Sequence, residues 1–180
     1  MTFGMQNFHR KILVIKIKLN LVMIIRKAII EDLDKLTKIF IEFKEEIKKF
    51  EQEKFKVFKD KKKPYEIIKN SVKKKITNEK NLFLVAYEED EIIGFMYGFI
   101  REFNHLVYES FTYGEIAHVW VKEKFRKNGI SSALKDKLFG WFKINNCKYA
   151  KLYLLEKNPA IGIYENWGFE PALKIMKKKL

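Results

Sequence analysis

The chain has 180 residues, of which 47% are apolar, 15% aromatic and 33% charged, with eight glycines and three prolines. This length and composition predict one domain with a continuous core, and they exclude collagen-like, low-complexity and disordered proteins. The single cysteine, Cys147, cannot form an intramolecular disulfide. A disulfide-stapled secreted protein is therefore excluded, and a cytoplasmic location is expected.

The formal net charge of +14 comes mainly from lysine, because only four of the 37 cationic residues are arginine. Arginine grips phosphates and guanine edges bidentately, whereas lysine acts as a point charge. The composition therefore disfavours a dedicated nucleic-acid reader and favours a solvated, lysine-rich surface. Such a surface would still attract a polyanionic cofactor.

Residues 1–22 contain an apolar run, Ile12–Ile17, that is too short to span a membrane and lacks the cleavage site of a secretory signal. We expect no membrane association. We also expect residues 1–22 to be an N-terminal appendage, consistent with a misassigned start codon. The domain is expected to span residues 23–180 and to begin with a strand at Met23–Ala28.

Two helices are predicted after this strand. Apolar residues between Leu33 and Phe50 recur every three or four positions, which predicts one buried face of a helix about five turns long. Residues 51–63 are rich in charge and are interpreted as a connection. It ends at Pro64, a residue suited to the first turn of a helix, and a second apolar stripe runs over Tyr65–Ile76.

The remainder of the chain alternates between strands and helices. Two β-branched and aromatic runs, Leu82–Tyr87 and Ile92–Phe103, flank acidic residues and predict an antiparallel hairpin, beside which Tyr113–Val121 should pair. The later elements are a helix over Gly129–Asn145, a strand over Tyr149–Leu155, a helix over Pro159–Asn166 and a strand over Phe169–Met176. This order predicts an α/β (α+β) fold, a mixed central sheet of six to seven strands with helices on both faces.

A strand, a short loop and a helix follow one another around Arg126, Gly129 and Ser131. The start of a helix exposes unpaired N–H groups and carries a partial positive charge, and a glycine lets the backbone approach an anion. The segment is therefore a candidate phosphate-binding loop. Taken alone, the pattern Arg-x-x-Gly-x-Ser fits an ordinary glycine turn equally well.

A second segment favours the phosphate-binding loop over the ordinary glycine turn. It carries Asn158, Ala160, Tyr164, Gly168 and Phe169. Together the two segments resemble the motifs of the GNAT acetyltransferase superfamily, Gln/Arg-x-x-Gly-x-Gly/Ala and Asn-x-x-Ala-x-x-x-Tyr-x-x-x-Gly-Phe. Two departures are present: Ser131 stands where glycine or alanine is usual, and Ala160 lies one place early. The resemblance covers residues 23–180 and implies the GNAT fold.

The resemblance implies that acetyl-CoA is bound as the acyl donor. Backbone groups of Val119, Trp120 and Val121 would hold the acetyl carbonyl and the pantetheine arm. The pyrophosphate would be cradled by the amides of Arg126, Lys127, Asn128, Gly129, Ile130, Ser131 and Ser132. Asn158 would contact the cofactor near its thiol end, and Tyr164 would donate a proton to the departing thiolate.

The implied reaction is direct attack of a neutral primary amine on the thioester in a ternary complex. Glu115 lies where some family members place a carboxylate base, and His118 competes because an unperturbed imidazole titrates near neutrality. Proton loss through water is the third route. Glu115 and His118 are three residues apart, hence on opposite faces of a regular strand, so a bulge would decide which one faces the cleft.

The sequence thus predicts an N-acetyltransferase that acts on a small-molecule or protein amine, and a homodimer is compatible with it. The first two helices and Phe103–Tyr113 should line the acceptor cleft, where Glu102 and Glu109 would favour a cationic amine such as a polyamine or a lysine side chain. No metal site is expected, because His9 and His105 lack partners at ligand spacing. The alternative is a catalytically inactive binding module of the same fold, with a basic surface facing nucleic acid or ribosomes.

Overall fold

The computed structural model describes residues 13–16, 22–51 and 65–179. Its strands are β1 (Leu13–Lys16), β2 (Val22–Lys27), β3 (Asn81–Glu88), β4 (Glu91–Phe103), β5 (Phe111–Val121) and β6 (Ala150–Leu152). Its helices are α1 (Leu33–Lys48), α2 (Tyr65–Thr77), α3 (Ile130–Ile144) and α4 (Ile161–Asn166). Short 3₁₀ turns precede α1 at Ile30–Asp32 and follow β5 at Glu123–Phe125.

The strands form one mixed sheet in the order β1-β2-β3-β4-β5-β6. The first four neighbouring pairs are antiparallel, and β6 runs parallel to β5. One face of the sheet packs against α1 and α2, and the opposite face packs against α3. We call these the α1/α2 face and the α3 face. The mixed α+β architecture with helices on both faces is confirmed.

Both faces are held by the apolar stripes that the sequence shows. On α1 the buried residues include Leu36, Phe40 and Phe43, and each buried side chain of this size contributes roughly 1.5–3 kcal/mol. The α3 helix approaches the sheet closely at Gly114. A Cβ added there would lie 2.5 Å from the Phe142 ring, so any larger residue would push α3 away from β5.

The structure confirms the predicted helices α1 and α2 and the hairpin of β3 and β4. The expected strand over Phe169–Met176 is wrong, because residues 169–179 form no strand pairs. Pro171 lacks an amide hydrogen for a sheet ladder, and Leu173 is 79% exposed. The described residues of the range 23–180 consequently contribute five strands rather than six to seven.

The expected appendage, residues 1–22, lies outside the described residues except for β1 and Val22. Its separate status and its start site therefore stay predictions. In the described part, β1 pairs antiparallel with β2 at the edge of the sheet. The predicted connection over residues 51–63 likewise lies outside the described residues beyond Glu51. Across the described residues, no helix combines the length and the hydropathy that a membrane crossing requires.

A buried polar cluster fixes the start of α1 against the sheet. Arg26 donates to both carboxylate oxygens of Asp32, at 2.6 and 2.8 Å, and the hydroxyl of Tyr87 donates at 2.7 Å. The backbone amide of Ile29 donates a fourth bond, at 2.9 Å. Burial alone would raise the pKa of Asp32, but these bonds outweigh it and hold the pKa below its ordinary value. The cluster therefore stabilises the fold at neutral pH and loses that contribution as pH falls through the lowered pKa.

Replacing Asp32 with alanine is expected to lower the free energy of unfolding by about 3 kcal/mol, because the partly buried Arg26 guanidinium loses its only buried carboxylate partner among the described residues. Urea unfolding at pH 7 measures the change. The matched variant Asp34→Ala removes an exposed carboxylate that pairs with Lys69 and should have little effect. Equal losses in the two variants would contradict a special role for the cluster.

Candidate active site

The sheet opens between β5 and β6. The two strands pair only over Gly114–Ile116 and Ala150–Leu152. Beyond Ile116, β5 continues to Val121 with no strand on that edge among the described residues. The sequence-predicted residues Val119, Trp120 and Val121 lie on this open stretch. Their backbone is therefore placed where an extended ligand could add as a short strand.

A β-bulge lies at Ala117, at the point where the sheet opens. Tyr97 of β4 pairs with His118, but the next residue, Gly98, pairs with Ile116, so Ala117 is the extra residue. Glu115 then pairs with Phe99. Directly opposed residues share a face, and Tyr97 and Phe99 both pack on the α1/α2 face.

The bulge therefore places Glu115 and His118 on the same face. The prediction that a bulge would select one of them is wrong. Residues three apart face opposite sides of a regular strand, but the extra residue Ala117 between them brings both side chains to the same side. The Glu115 carboxylate, with 15% of its side chain exposed, lies 3.7 Å from the ammonium of Lys151. Burial, together with the negative charge of Glu115, raises the pKa of Tyr97 to about 12.

His118 occupies an aromatic enclosure on the α1/α2 face. Its ring lies 5.1 Å from that of Phe40, 5.2 Å from that of Phe43 and 5.8 Å from that of Tyr97. Burial, reinforced by the charges of Lys44 and Lys75, lowers the pKa of His118 to about 3. The imidazole is consequently neutral at physiological pH, and with so low a pKa it is a weak base for taking a proton from an amine.

The buried His118 should make the protein less stable as pH falls from about 6.5, because the unfolded chain then binds a proton that the folded chain excludes. We expect His118→Phe to flatten the dependence of the unfolding free energy on pH between 7.5 and about 5. Urea unfolding at several pH values measures the slope. The exposed loop variant His105→Phe should keep the wild-type slope, and identical slopes for all three proteins would refute the prediction.

The loop between β5 and α3 has the conformation of an anion-binding segment. Lys127 and Gly129 adopt left-handed backbone angles, with φ of 65° and 78°, and Gly129 caps α3 without any side-chain hydrogen bond. The first intrahelical bond runs from the amide of Ala133 to the carbonyl of Gly129, 3.0 Å. Backbone amides in the range 127–132 therefore have no acceptor among the described residues, as expected at a helix start.

The Arg126 amide does not belong to this set, because it donates to the carbonyl of Glu123 at 3.1 Å. The amide of Arg126 was predicted to cradle pyrophosphate, and that part of the prediction is wrong because a 3₁₀ turn uses it. The Asn128 side chain also turns inward and donates to the carbonyl of Phe125 at 3.2 Å. The loop is thus held by its own hydrogen bonds, with its later amides left available.

Glu46 of α1 also belongs to this region, and no local sequence pattern indicates it. The Glu46 carboxylate accepts hydrogen bonds from the indole of Trp120, at 2.8 Å, and from the guanidinium of Arg126. The Nε of Arg126 donates in turn to the carbonyl of Val121, 2.9 Å. Burial would raise the pKa of Glu46, and the bonds from Arg126 and Trp120 bring it below its ordinary value. Glu46 therefore ties α1 to the end of β5 and to the loop.

The second predicted motif packs beside the start of α3. The indole of Trp167 donates to the hydroxyl of Ser132, 3.3 Å, and the Tyr164 ring lies edge-on to Trp167 at 5.5 Å. Burial raises the pKa of Tyr164 to about 12, so its hydroxyl keeps its proton at neutral pH. Asn158 accepts from the amide of Ala160, 2.9 Å, and so organises the turn before α4.

The acidic residues expected in the acceptor cleft lie elsewhere. Glu102 forms an ion pair with Lys80 at 2.9 Å. Its neighbour in the strand, Arg101, lies over the Phe99 ring on the α1/α2 face, and because strand side chains alternate, Glu102 faces the other way. Glu109 is 93% exposed and lies 4.0 Å from Lys148. Neither carboxylate is placed beside Glu115.

A family model described as the acetyltransferase (GNAT) family matches residues 40–169. Among curated proteins, no sequence matches this chain. Solved structures, by contrast, resemble it over most of its length. Three of these structures share between 14% and 20% of their residues with this chain, and at such identities the likeness shows the fold.

An aminoglycoside N-acetyltransferase in complex with CoA superposes with a TM-score of 0.69 at 14% identity, covering 88% of this chain and 94% of that one. A predicted acetyltransferase from Clostridium acetobutylicum, solved with acetyl-CoA, gives 0.68 at 18% identity, covering 87% and 96%. A transcriptional regulator from Bacillus halodurans gives 0.66 at 20% identity, covering 88% and 99%. Three proteins with different descriptions thus share this architecture.

Proposed function

Because this chain belongs to the acetyltransferase (GNAT) family, we propose that it is an N-acetyltransferase that moves an acetyl group from acetyl-CoA to a primary amine in a ternary complex. The observation that carries the proposal is the free start of α3, with Gly129 in the left-handed region, directly after the strand where the sheet opens. The resemblance to two structures that hold CoA or acetyl-CoA supports the same donor.

The residues present fit this donor. A Cβ added at Gly129 would meet no protein atom within 4 Å, so the space beside the loop is open to a ligand. The amides of residues 127–132, which have no acceptor among the described residues, would bind the pyrophosphate. The open edge of β5 at Val119–Val121 would bind the pantetheine arm through its backbone, and the Asn158 amide nitrogen would donate near the thiol. Acetyl-CoA supplies an acetyl group already activated as a thioester.

Two side chains would move the protons. Glu115 accepts a proton from the attacking amine at its carboxylate, as the new N–C bond forms and the C–S bond breaks. Tyr164 holds a proton on its hydroxyl and donates it to the sulfur that leaves, which balances the reaction. We assign the base to Glu115 rather than His118, because the His118 imidazole lies within three aromatic rings and its pKa is lowered to about 3.

The proposal is tested by titrating acetyl-CoA into the protein calorimetrically and measuring thiol release with a panel of amines. We expect saturable binding and amine-dependent thiol release. Glu115→Gln should lower kcat/KM about 10-fold at neutral pH, because water can replace part of the role of the base. His118→Phe should have a smaller effect, and a larger one would make His118 the base.

Two results would contradict the proposal itself. Failure to bind acetyl-CoA at millimolar concentration would remove the cofactor site. Binding without thiol release for any amine would leave a binding module that has lost turnover, and a steep decrease of RNA affinity with salt would support that alternative.

A further inference from the structure

The α1/α2 face around Glu115 carries an excess of positive charge. Its floor consists of the rings of Tyr97, Phe99 and Tyr113, which pair or alternate with Glu115 and His118 along β4 and β5. Cationic groups lie over these rings and their neighbours. They are Lys75, 5.5 Å from the Tyr97 ring centre, Arg101, 4.7 Å from that of Phe99, and Lys151, 4.4 Å from that of Tyr113.

Negative charge on this floor comes from Glu115, which already lies 3.7 Å from Lys151. The carboxylates of Glu102 and Glu109 pair with lysines away from this floor. An amine that brought only further positive charge would be repelled by Lys75, Arg101 and Lys151, and the Glu115 carboxylate is already shared with Lys151. Like charges disfavour binding, and complementary charge favours it and sets specificity.

Lys75 is the cation placed best to select a ligand. It projects from α2 over Phe40 and Tyr97, the same rings that enclose His118, and its ammonium donates to the Ser71 hydroxyl at 3.0 Å. No carboxylate of the described residues lies within ion-pair distance of it. Burial lowers the pKa of Lys75, which fits an ammonium without a carboxylate partner in the described part of the chain.

Resting on the acetyl transfer proposed above, we propose that the acceptor is a small primary amine that also carries an anionic group, a carboxylate or a phosphate, and that Lys75 binds this group. Glu115 then receives the amine end while Lys75 fixes the anionic end across the same aromatic floor. This acceptor class is the opposite of the polyamine or lysine side chain expected from Glu102 and Glu109. A lysine offers a point charge, so the site accepts either anion.

The experiment compares amines that differ in one charged group, with acetyl-CoA saturating and thiol release as the readout. The pairs are β-alanine against β-alaninamide and phosphoethanolamine against ethanolamine, with 1,4-diaminobutane as the cationic reference. We expect kcat/KM to be at least about 10-fold higher for the anionic member of at least one pair. Which pair shows the larger ratio distinguishes carboxylate from phosphate.

Variants identify the residue responsible. Lys75→Gln removes the charge but keeps a polar side chain, and it should raise KM for the preferred anionic amine about 10-fold with little change in kcat, while values for the neutral partner stay the same. Lys75→Arg keeps the positive charge and should therefore keep the preference for the anionic amine. The control is Lys74→Gln, an exposed position on the same helix, which should behave as wild type.

Failure of this inference differs from failure of the proposed function. Transfer that favours neutral or cationic amines would overturn the anionic acceptor and leave the transferase intact. If no amine releases thiol, NMR of the aromatic rings during titration with β-alanine decides: shifts of Tyr97 and His118 that Lys75→Gln abolishes would support the anion site. Unchanged spectra would overturn it.

Discussion

Replacing Tyr164 with phenylalanine is expected to lower kcat for acetyl transfer about 100-fold while leaving the Kd for acetyl-CoA unchanged. The substitution removes one hydroxyl and keeps the ring that packs edge-on against Trp167 and Phe169. Burial raises the pKa of this hydroxyl to about 12, so it carries a proton to donate throughout the neutral range. Loss of a positioned general acid typically costs a factor of 10² to 10⁴. Thiol release under acetyl-CoA saturation, with calorimetric titration in parallel, measures both quantities.

The control for this experiment is Tyr108→Phe, which removes an exposed hydroxyl from the loop between β4 and β5. It should leave kcat and Kd as in the wild type. A Tyr164→Phe protein with wild-type kcat would show that the hydroxyl is not the acid. A fall in kcat accompanied by a marked fall in the melting temperature would assign the residue to packing.

Replacing Gly129 with alanine is expected to raise the Kd for acetyl-CoA about 30-fold, which corresponds to about 2 kcal/mol. The new Cβ meets no protein atom within 4 Å, so the substitution causes no clash inside the protein. With φ at 78°, however, alanine is strained by roughly 1–2 kcal/mol and drives the loop toward another conformation. The amides would then be misaligned, and each amide bond to a charged phosphate contributes roughly 1.5–3 kcal/mol.

A strain-matched control is available at Gly168, where φ is 82° and an added Cβ again meets no atom within 4 Å. Gly168→Ala should lose a similar amount of stability in urea unfolding, because the backbone penalty is the same. Its affinity for acetyl-CoA should stay close to that of the wild type. If both variants lose affinity equally, general destabilisation explains the effect and the loop is not the phosphate site.

Much of the architecture follows from local sequence patterns. The stripes of α1 and α2, the hairpin of β3 and β4, and the loop with Gly129 each depend on residues within a few positions of one another. Periodicity, turn chemistry and helix-start geometry act over that range, so they can be deduced without coordinates. The two motifs could likewise be recognised from the sequence, because the residues of each motif lie close together in it.

The terminal strand shows where local patterns fail. Residues 169–176 have strand-like composition, but a strand needs a partner edge with free groups, and β6 pairs over only three residues. Pairing depends on the rest of the sheet rather than on the segment itself. The position of Glu46, which bonds to Trp120 and Arg126 some 74 and 80 residues away, is equally invisible to any local pattern.

The sequence by itself determined the fold class and indicated the candidate phosphate loop and the pair of candidate bases, because the patterns involved lie in contiguous residues. Only the tertiary structure decided that the bulge at Ala117 turns Glu115 and His118 to one face, and that His118 is buried among aromatic rings. It also decided which charges surround them, since Lys75, Arg101 and Lys151 come from three different elements. Strand register and helix packing set these distances, and both arise from contacts between residues far apart in the chain.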